Sequence, residues 1–206
     1  NAAGIISNSG LGEFDKVQLD KYLTGKIASI SPYISEIKEG FYGNAAPADI
    51  ETALQLIYMY FTAPRQDETA FKSYIERQRT GLQNKMAKPE VVFRDSVRYL
   101  LNQKAYRERP MNEEMLKEID MKKAFEIFKD RFTDASDFSF YFVGNIKPET
   151  FKPLVETYIG GLPSSKREDK WKDQNVRPVK GNFENTMYRG KEPKSSVMIA
   201  LTGEFE

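Results

Sequence analysis

The densest group of ionisable side chains in this sequence is acidic and comprises Glu113, Glu114, Glu118 and Asp120. In a helix, Glu114 and Glu118 lie four residues apart on one face, where their carboxylates could share a metal ion or a proton. The alternative is a solvated face on which Glu113 and Glu114 favour the helix N-terminus electrostatically. Because acidic side chains are rarely buried, we predict the solvated face.

A basic series, Arg77, Arg79, Lys85 and Lys88, could bind a phosphate group or an acidic peptide. Acidic residues flank this series, and 31 Lys and Arg residues balance 30 Asp and Glu residues, for a net charge of +1. This pattern is typical of a solvated face. A polyanion-binding surface is not predicted, and nucleic acid is therefore not expected as a partner.

Glycines and aromatic rings offer two further candidates. The segment Gly10-Leu11-Gly12 is predicted not to cradle a phosphate, because no strand precedes it and no Gly-x-Gly-x-x-Gly or Gly-Lys-Ser/Thr pattern continues it. Phenylalanines recur at helical spacing at positions 125, 128 and 132, and they alternate at positions 138, 140 and 142. We predict that both sets pack in a core rather than stack on nucleic-acid bases.

The composition restricts the possible chemistry further. The 206 residues include no Cys and no His. This excludes disulfides, thiol nucleophiles, triads with an imidazole base and the usual imidazole metal sites. Any catalysis would have to use carboxylates, Lys, Tyr or hydroxyl groups. Composition and spacing alone therefore predict a folded domain without a catalytic site.

The elements that would position these residues are mainly helices. Periodicity and capping residues predict helices over 15–25, 47–61, 67–86, 89–101, 112–119, 120–132 and 148–159, after a short helical start that breaks at 9–12. Alternation predicts two strands within 27–42, joined near Pro32, and a buried strand at 138–143 with two apolar faces. Two more strands are predicted at 183–188 and 196–201, after an exposed connector over 164–181.

This order of elements predicts an α+β fold with a mixed, largely antiparallel sheet and helices packed on one face. We expect a single lobe over 1–206, in which residues 1–135 hold the first strands and the helical layer. Residues 136–206 would begin a second half with the order strand–helix–strand–strand. No run of about 18 apolar residues is present, so membrane insertion is not predicted. Neither end resembles a natural terminus, and both are expected to be cut.

Three segments together resemble the pitrilysin/insulinase group of zinc metallopeptidases, the inverzincins. They are SGLGEFDKVQLDKYLTGKIASISPYI at 9–34, the run from FYGNAAPADIETALQLIYMYFTAP at 41–64 through FKSYIERQRTGLQNKM at 71–86, and FYFVGNIKPETFKPLVETYIGGLP at 140–163. The resemblance covers about residues 1–170. It implies a metallopeptidase-lobe fold of the mitochondrial processing peptidase type, truncated at both ends.

The resemblance also places the family's metal motif on this chain. In the family, His-x-x-Glu-His and a later Glu bind zinc, and the motif Glu activates water. Matching Gly10 to the Gly after that motif puts Asn1, Gly4 and Ile5 at the His, Glu and His positions, and the later Glu near Gln83. None of these four residues suits its metal position, so the resemblance implies the family's inactive lobe.

Such a lobe would complete a substrate chamber and contribute to peptide binding without being an enzyme itself. Its parent protein would be a zinc metalloendopeptidase, with zinc in a separate catalytic lobe of the same or a partner chain and no cofactor in this one. The resemblance suggests a bacterial periplasm or cell envelope as the location. Exposed sheet edges at the truncated ends would favour a homodimer of the fragment.

Two other functions remain open at this stage. The chain could be a catalytically empty subunit or assembly module that binds partner proteins or peptides without any protease in its own chain. It could also be an unrelated carboxylate-based enzyme, which would require Glu114, Glu118 or Asp120 to lie in a cleft.

Overall fold

The structure is a computed structural model and describes residues 1–167 and 170–203. Within these residues it has eight α-helices and two strands: α1 Ala2–Ser9, α2 Lys16–Tyr22, β1 Ala28–Ile34, β2 Glu39–Ala45, α3 Ile50–Thr62, α4 Glu68–Met86, α5 Pro89–Leu101, α6 Glu113–Lys117, α7 Met121–Phe132 and α8 Pro148–Tyr158. Short 3-10 turns at Pro47–Asp49 and Tyr106–Glu108 precede α3 and α6. None of these helices is both long and apolar enough to cross a bilayer.

The chain divides into two compact units. The first unit comprises the described residues of Asn1–Ile75 and Ile119–Trp171, and the second those of Glu76–Glu118 and Lys172–Glu206. Helix α4 begins in the first unit and ends in the second. The first unit holds α1, α2, the two strands, α3, α7 and α8.

The predicted capping residues begin three of the helices. The Asp15 carboxylate accepts a hydrogen bond from the Gln18 amide, and the Gln18 side chain accepts one from the Asp15 amide, which forms a capping box at the start of α2. The side chains of Asn112 and Asp120 likewise accept from backbone amides in the first turns of α6 and α7. The local signals for these helix starts are confirmed.

The two strands form an antiparallel hairpin, in the register Ala28↔Ala45 to Ile34↔Glu39. The prediction that the strands join near Pro32 is wrong, because Pro32 lies inside β1 opposite Phe41. The turn lies instead at 35–38, where the Ser35 amide donates to the Lys38 carbonyl at 2.7 Å. Proline is compatible with this position because β1 has no second neighbouring strand in the described chain.

Aromatic packing forms the core of the first unit. The ring of Phe41, on β2, lies 5.5 Å from that of Phe61 on α3 and 4.9 Å from that of Phe132 on α7. Phe128 and Phe132 stack at 4.4 Å, and both are fully buried. Phe125 packs against the same cluster. The helical set at 125, 128 and 132 is therefore core, as predicted, and the helices lie on the inner face of the hairpin.

The segment at 138–143 differs from the prediction. Phe138, Phe140 and Phe142 pack against the core, but Tyr141 and Val143 on the other side are 87% and 98% exposed. The segment forms no strand, because no other described segment pairs with it. The prediction of a strand buried on both faces is therefore wrong, although the phenylalanines do pack in the core.

In the second unit, α5 lies against residues 177–203, which form neither a helix nor a strand. The Val179 amide donates to the Leu101 carbonyl at 2.8 Å, and Arg98 pairs with Glu108 at 3.2 Å. The predicted strands at 183–188 and 196–201 do not form among the described residues. Alternating apolar residues specify a strand only when a neighbouring strand supplies the hydrogen bonds. No other described segment supplies such a neighbour to either of them.

A clasp joins the end of α7 to the segment after α8. The Asp134 carboxylate accepts hydrogen bonds from the amide of Ser136 at 2.8 Å, the amide of Ser165 at 3.2 Å and the hydroxyls of both serines. Arg167 adds a backbone amide to Asp134 and a guanidinium contact to the Asp130 carboxylate at 2.9 Å. The clasp therefore holds the two ends of the 138–163 segment together.

Hydrogen bonds from Ser136 and Ser165 hold the pKa of the Asp134 carboxyl well below its usual range. The charged form is thus favoured in the folded protein. Asp134 contributes stability above the pKa of an unfolded aspartate, about 3.9. This contribution is lost as the pH falls through the lower pKa of the folded state.

We expect Asp134→Asn to lower the thermal midpoint at neutral pH, because it removes the charged acceptor of the clasp. The difference from the wild-type protein should shrink as the pH falls below 4. Circular dichroism melts between neutral pH and acid would measure it. Glu36→Gln, in the exposed 35–38 turn, is the matched control and should leave the pH profile unchanged. A pH-independent loss in Asp134→Asn would contradict this account.

Candidate functional site

Three of the matched motif positions share one face of α1. Asn1 is the residue before the helix, and Gly4 and Ile5 lie in its first turn. The spacing i, i+3, i+4 places all three on the same side. Ile5 is 1% exposed and packs with Tyr74 and Ala124. This face is therefore part of an apolar core cluster.

Tyr74 of α4 covers that face. It is buried, and its hydroxyl donates a hydrogen bond to the Asn1 side-chain oxygen at 3.3 Å. A Cβ atom on Gly4 would lie 3.1 Å from the Tyr74 hydroxyl oxygen and 3.4 Å from a ring carbon. The glycine thus allows the ring to approach α1 closely, and a longer side chain at position 4 would meet the ring.

The donor set on this face does not fit zinc. The side chains of Gly4 and Ile5 have no metal-donor atom. The side-chain oxygens of Asn1 and Tyr74 are already joined by a hydrogen bond. Zinc in proteins is held by thiolates, imidazoles and carboxylates. The position matched to the later Glu, Gln83, lies in the second unit, where its side-chain amide donates to a Glu113 carboxylate oxygen at 3.2 Å.

The acidic group does not form a site either. Glu113 and Glu114 lie exposed in the first turn of α6, as the solvated alternative predicted. Glu118 pairs with Arg109 at 3.6 Å, and Asp120 caps α7. Within residues 1–167 and 170–203, no group of three acidic side chains is arranged to hold a metal ion.

The basic series and the glycine segment also have structural roles. Arg79 pairs with Glu76 on α4, and Arg77, Lys85 and Lys88 are exposed. Around Gly10, the Leu11 amide donates to the Phe14 carbonyl at 3.0 Å and the Gly12 amide to Ala63 at 2.8 Å. One of these amides thus bonds within the loop and the other to the residue that follows α3.

The outer face of the hairpin is the polar, aromatic surface of the first unit. Alternate side chains along the two strands point away from the core, and they are all polar or aromatic: Ser29, Ser31, Tyr33, Tyr42 and Asn44. The rings of Tyr33 and Tyr42 stack at 4.5 Å, and Tyr42 is 69% exposed. Desolvation, together with the neighbouring Tyr42, raises the pKa of Tyr33, so its hydroxyl stays protonated at neutral pH.

Sequence reasoning did not single out Tyr74 or the Tyr33–Tyr42 pair. A signal for Tyr74 was present, because it lies with Phe71 and Ile75 on the apolar side of the 67–86 helix. The tyrosine pair depends on the hairpin register. A strand junction near Pro32 would have placed Tyr33 and Tyr42 in a different relation.

Comparison with known proteins gives consistent matches. Residues 120–205 match the family model described as Peptidase M16 inactive domain. The chain is 34% identical over 119 residues to an Arabidopsis thaliana protein named Zinc protease PQQL-like, which covers 56% of this chain and 12% of that protein. It is 22% identical over 206 residues to Probable zinc protease PqqL of Haemophilus influenzae, which covers 98% of this chain and 22% of that protein.

Among solved structures, the periplasmic protease PqqL from Escherichia coli matches with a TM-score of 0.69 at 19% identity, over 86% of this chain and 19% of that one. The likeness confirms the predicted metallopeptidase-lobe fold. The chain spans between 12% and 22% of the length of these relatives.

We expect Gly4→Glu to lower the free energy of unfolding by about 1–3 kcal/mol, because the new side chain meets the Tyr74 ring in a packed cluster. Urea denaturation would measure it. Gly81→Glu is the matched control, since Gly81 is also helical but has open space around it, and helix propensity favours Glu over Gly there.

The cause can be isolated with a double-mutant cycle. In a Tyr74→Ala background the ring is gone, so Gly4→Glu should cost less than in the wild-type protein. An equal cost in both backgrounds would show that Tyr74 does not restrict position 4.

Proposed function

The chain carries an inactive lobe of the insulinase family of zinc proteases, and we propose that it forms one wall of a peptide-binding chamber. The zinc chemistry of the parent protein takes place in a separate catalytic lobe, in the same chain or in a partner. The observation that supports this assignment most directly is that the α1 face has no zinc-donor side chains and is covered by Tyr74. The outer face of the hairpin, in contrast, is open to solvent.

The outer face of the hairpin suits an extended peptide. Serine hydroxyls and the Asn44 amide can donate to and accept from main-chain groups. The stacked rings of Tyr33 and Tyr42 offer apolar area with little conformational freedom to lose on binding. No Lys, Arg, Asp or Glu lies among these outward residues, so the surface favours main-chain and apolar contacts over charged side chains.

The parent protein acts in this proposal as a metallopeptidase of the bacterial cell envelope. The similarity to proteins named zinc proteases supports the activity, and the Escherichia coli relative described as periplasmic supports the location. In that parent the catalytic lobe supplies the zinc-bound water. The residues of this chain bind and orient peptide and exclude solvent from one side.

Peptide binding can be tested with dye-labelled β-casein, an unfolded protein, by fluorescence anisotropy. We expect saturable binding by the wild-type chain and a dissociation constant about tenfold higher for Tyr33→Ser/Tyr42→Ser, because aromatic anchors dominate such contacts. Tyr188→Ser, which removes a tyrosine that is 90% exposed in the second unit, should leave the affinity unchanged. Equal effects of the two variants would place binding elsewhere.

The division of labour predicts that this chain alone neither hydrolyses peptides nor retains zinc. After incubation with zinc and dialysis, mass spectrometry of the metal content should find well below one zinc ion per chain, because the α1 face lacks donors. A fluorogenic peptide mixture should stay uncleaved. One tightly held zinc per chain, lost on substitution of an acidic residue, would refute the assignment.

A further inference from the structure

Gly40 interrupts the row of outward side chains on β2. It lies directly opposite Tyr33 in the register of the hairpin, and on the same side of β2 as Tyr42, two residues further along. Tyr42 is exposed, whereas Gly40 is buried. A glycine on a solvent-facing surface becomes buried when a neighbouring side chain covers it.

The ring of Tyr33 covers Gly40. A Cβ atom added to Gly40 would lie 3.0 Å from the Tyr33 hydroxyl oxygen, and 3.1 and 3.2 Å from two carbons of its ring. Non-bonded carbon atoms are most stable about 3.5–4.0 Å apart, so a larger residue at position 40 would push the ring away. Tyr33 therefore lies over β2 in space that a glycine leaves free.

This position of Tyr33 makes its stack with Tyr42 possible. The two tyrosines are diagonal neighbours across the hairpin, because Tyr33 pairs with Gly40 and Tyr42 is two residues beyond it. Diagonal neighbours are further apart than directly opposed residues, so the Tyr33 ring has to lean over β2 to meet the Tyr42 ring. The two rings then stack with their centroids 4.5 Å apart and their planes at 17°.

We propose that Gly40 is a positioning residue for peptide binding, because it leaves room for Tyr33 to form one aromatic platform with Tyr42. The inference rests on the proposed function, in which these two rings anchor an extended peptide. Glycine is otherwise unfavourable within a strand, because it loses the most conformational freedom on folding and has no side chain to pack. Here the Tyr33 ring supplies the packing that the glycine lacks.

The platform favours binding through preorganisation. A tyrosine ring that is free to change rotamer loses that freedom when it contacts a ligand, and the loss opposes binding. The contacts of Tyr33 with Gly40 and with Tyr42 restrict its ring before any ligand arrives. Displacing the ring from Gly40 should therefore weaken binding even though both tyrosines remain in the chain.

Gly40→Val fills the space under the Tyr33 ring. Valine is favoured in strands, so the hairpin should remain folded, which a circular dichroism melt would check. With labelled β-casein, we expect a dissociation constant at least about threefold above that of the wild-type chain, because the two rings no longer form one preorganised surface. Gly40→Ala adds the Cβ atom alone and should raise the dissociation constant less. It carries the test if Gly40→Val does not fold.

A Tyr33→Ala background separates positioning from a general effect on the hairpin. Once the ring is gone, Gly40→Val should leave the dissociation constant of the Tyr33→Ala chain unchanged. A substitution that weakened binding by disturbing the hairpin as a whole would act equally in both backgrounds. Equal effects in both backgrounds would therefore overturn the proposal.

The position of the ring can also be measured without a ligand. By nuclear magnetic resonance, the α protons of Gly40 should show nuclear Overhauser effects to the ring protons of Tyr33, and these effects should be absent in Tyr33→Ala. A wild-type chain that shows them but does not bind β-casein would overturn the proposed function, and with it the role of Gly40 in binding. If the wild-type chain binds and the Gly40 variants bind equally well, this inference alone is overturned.

Discussion

The first unit depends on one aromatic contact, in which the hairpin meets two helices. Phe41 of β2 packs between Phe61 of α3 and Phe132 of α7. These rings come from parts of the chain up to 91 residues apart, so the contact closes the unit over a long loop of sequence. A two-stranded hairpin is marginal in water by itself, and packing on helices is what stabilises it. The register of the hairpin, and with it the outer tyrosine pair, therefore rests on this packing.

The face of α1 that carries the matched motif positions has a structural role, because it packs in a core cluster. A helix face that binds metal must keep its donors accessible to the ion and, in a catalytic site, to water and substrate. Here that face is used for burial instead, with Ile5 almost fully covered and Tyr74 lying against Gly4. The exposed polar and aromatic side chains described above lie on the outward side of the strands, where they remain in solvent without weakening the core.

The sequence predicted the features that depend on near neighbours along the chain. Asp15, Asn112 and Asp120 cap helices through amides three residues away, and the phenylalanines of α7 follow the helical period. Strand pairing depends on residues far away in sequence, and there the predictions failed: Pro32 was taken for a junction, and 138–143 was taken for a sheet strand buried on both faces. Tyr74 shows the same limit, because its apolar stripe was visible but its approach to Gly4 depends on how two helices pack.

The close fit of Gly4 and Tyr74 also bears on how such a lobe could change over evolutionary time. A longer side chain introduced at position 4 would meet a ring that already fills the space, and would weaken the fold before any new chemistry arose. A smaller residue would have to replace Tyr74 before a longer side chain at position 4 became tolerable. The packing of Gly4 against Tyr74 thus constrains the order in which substitutions at these two positions are tolerated.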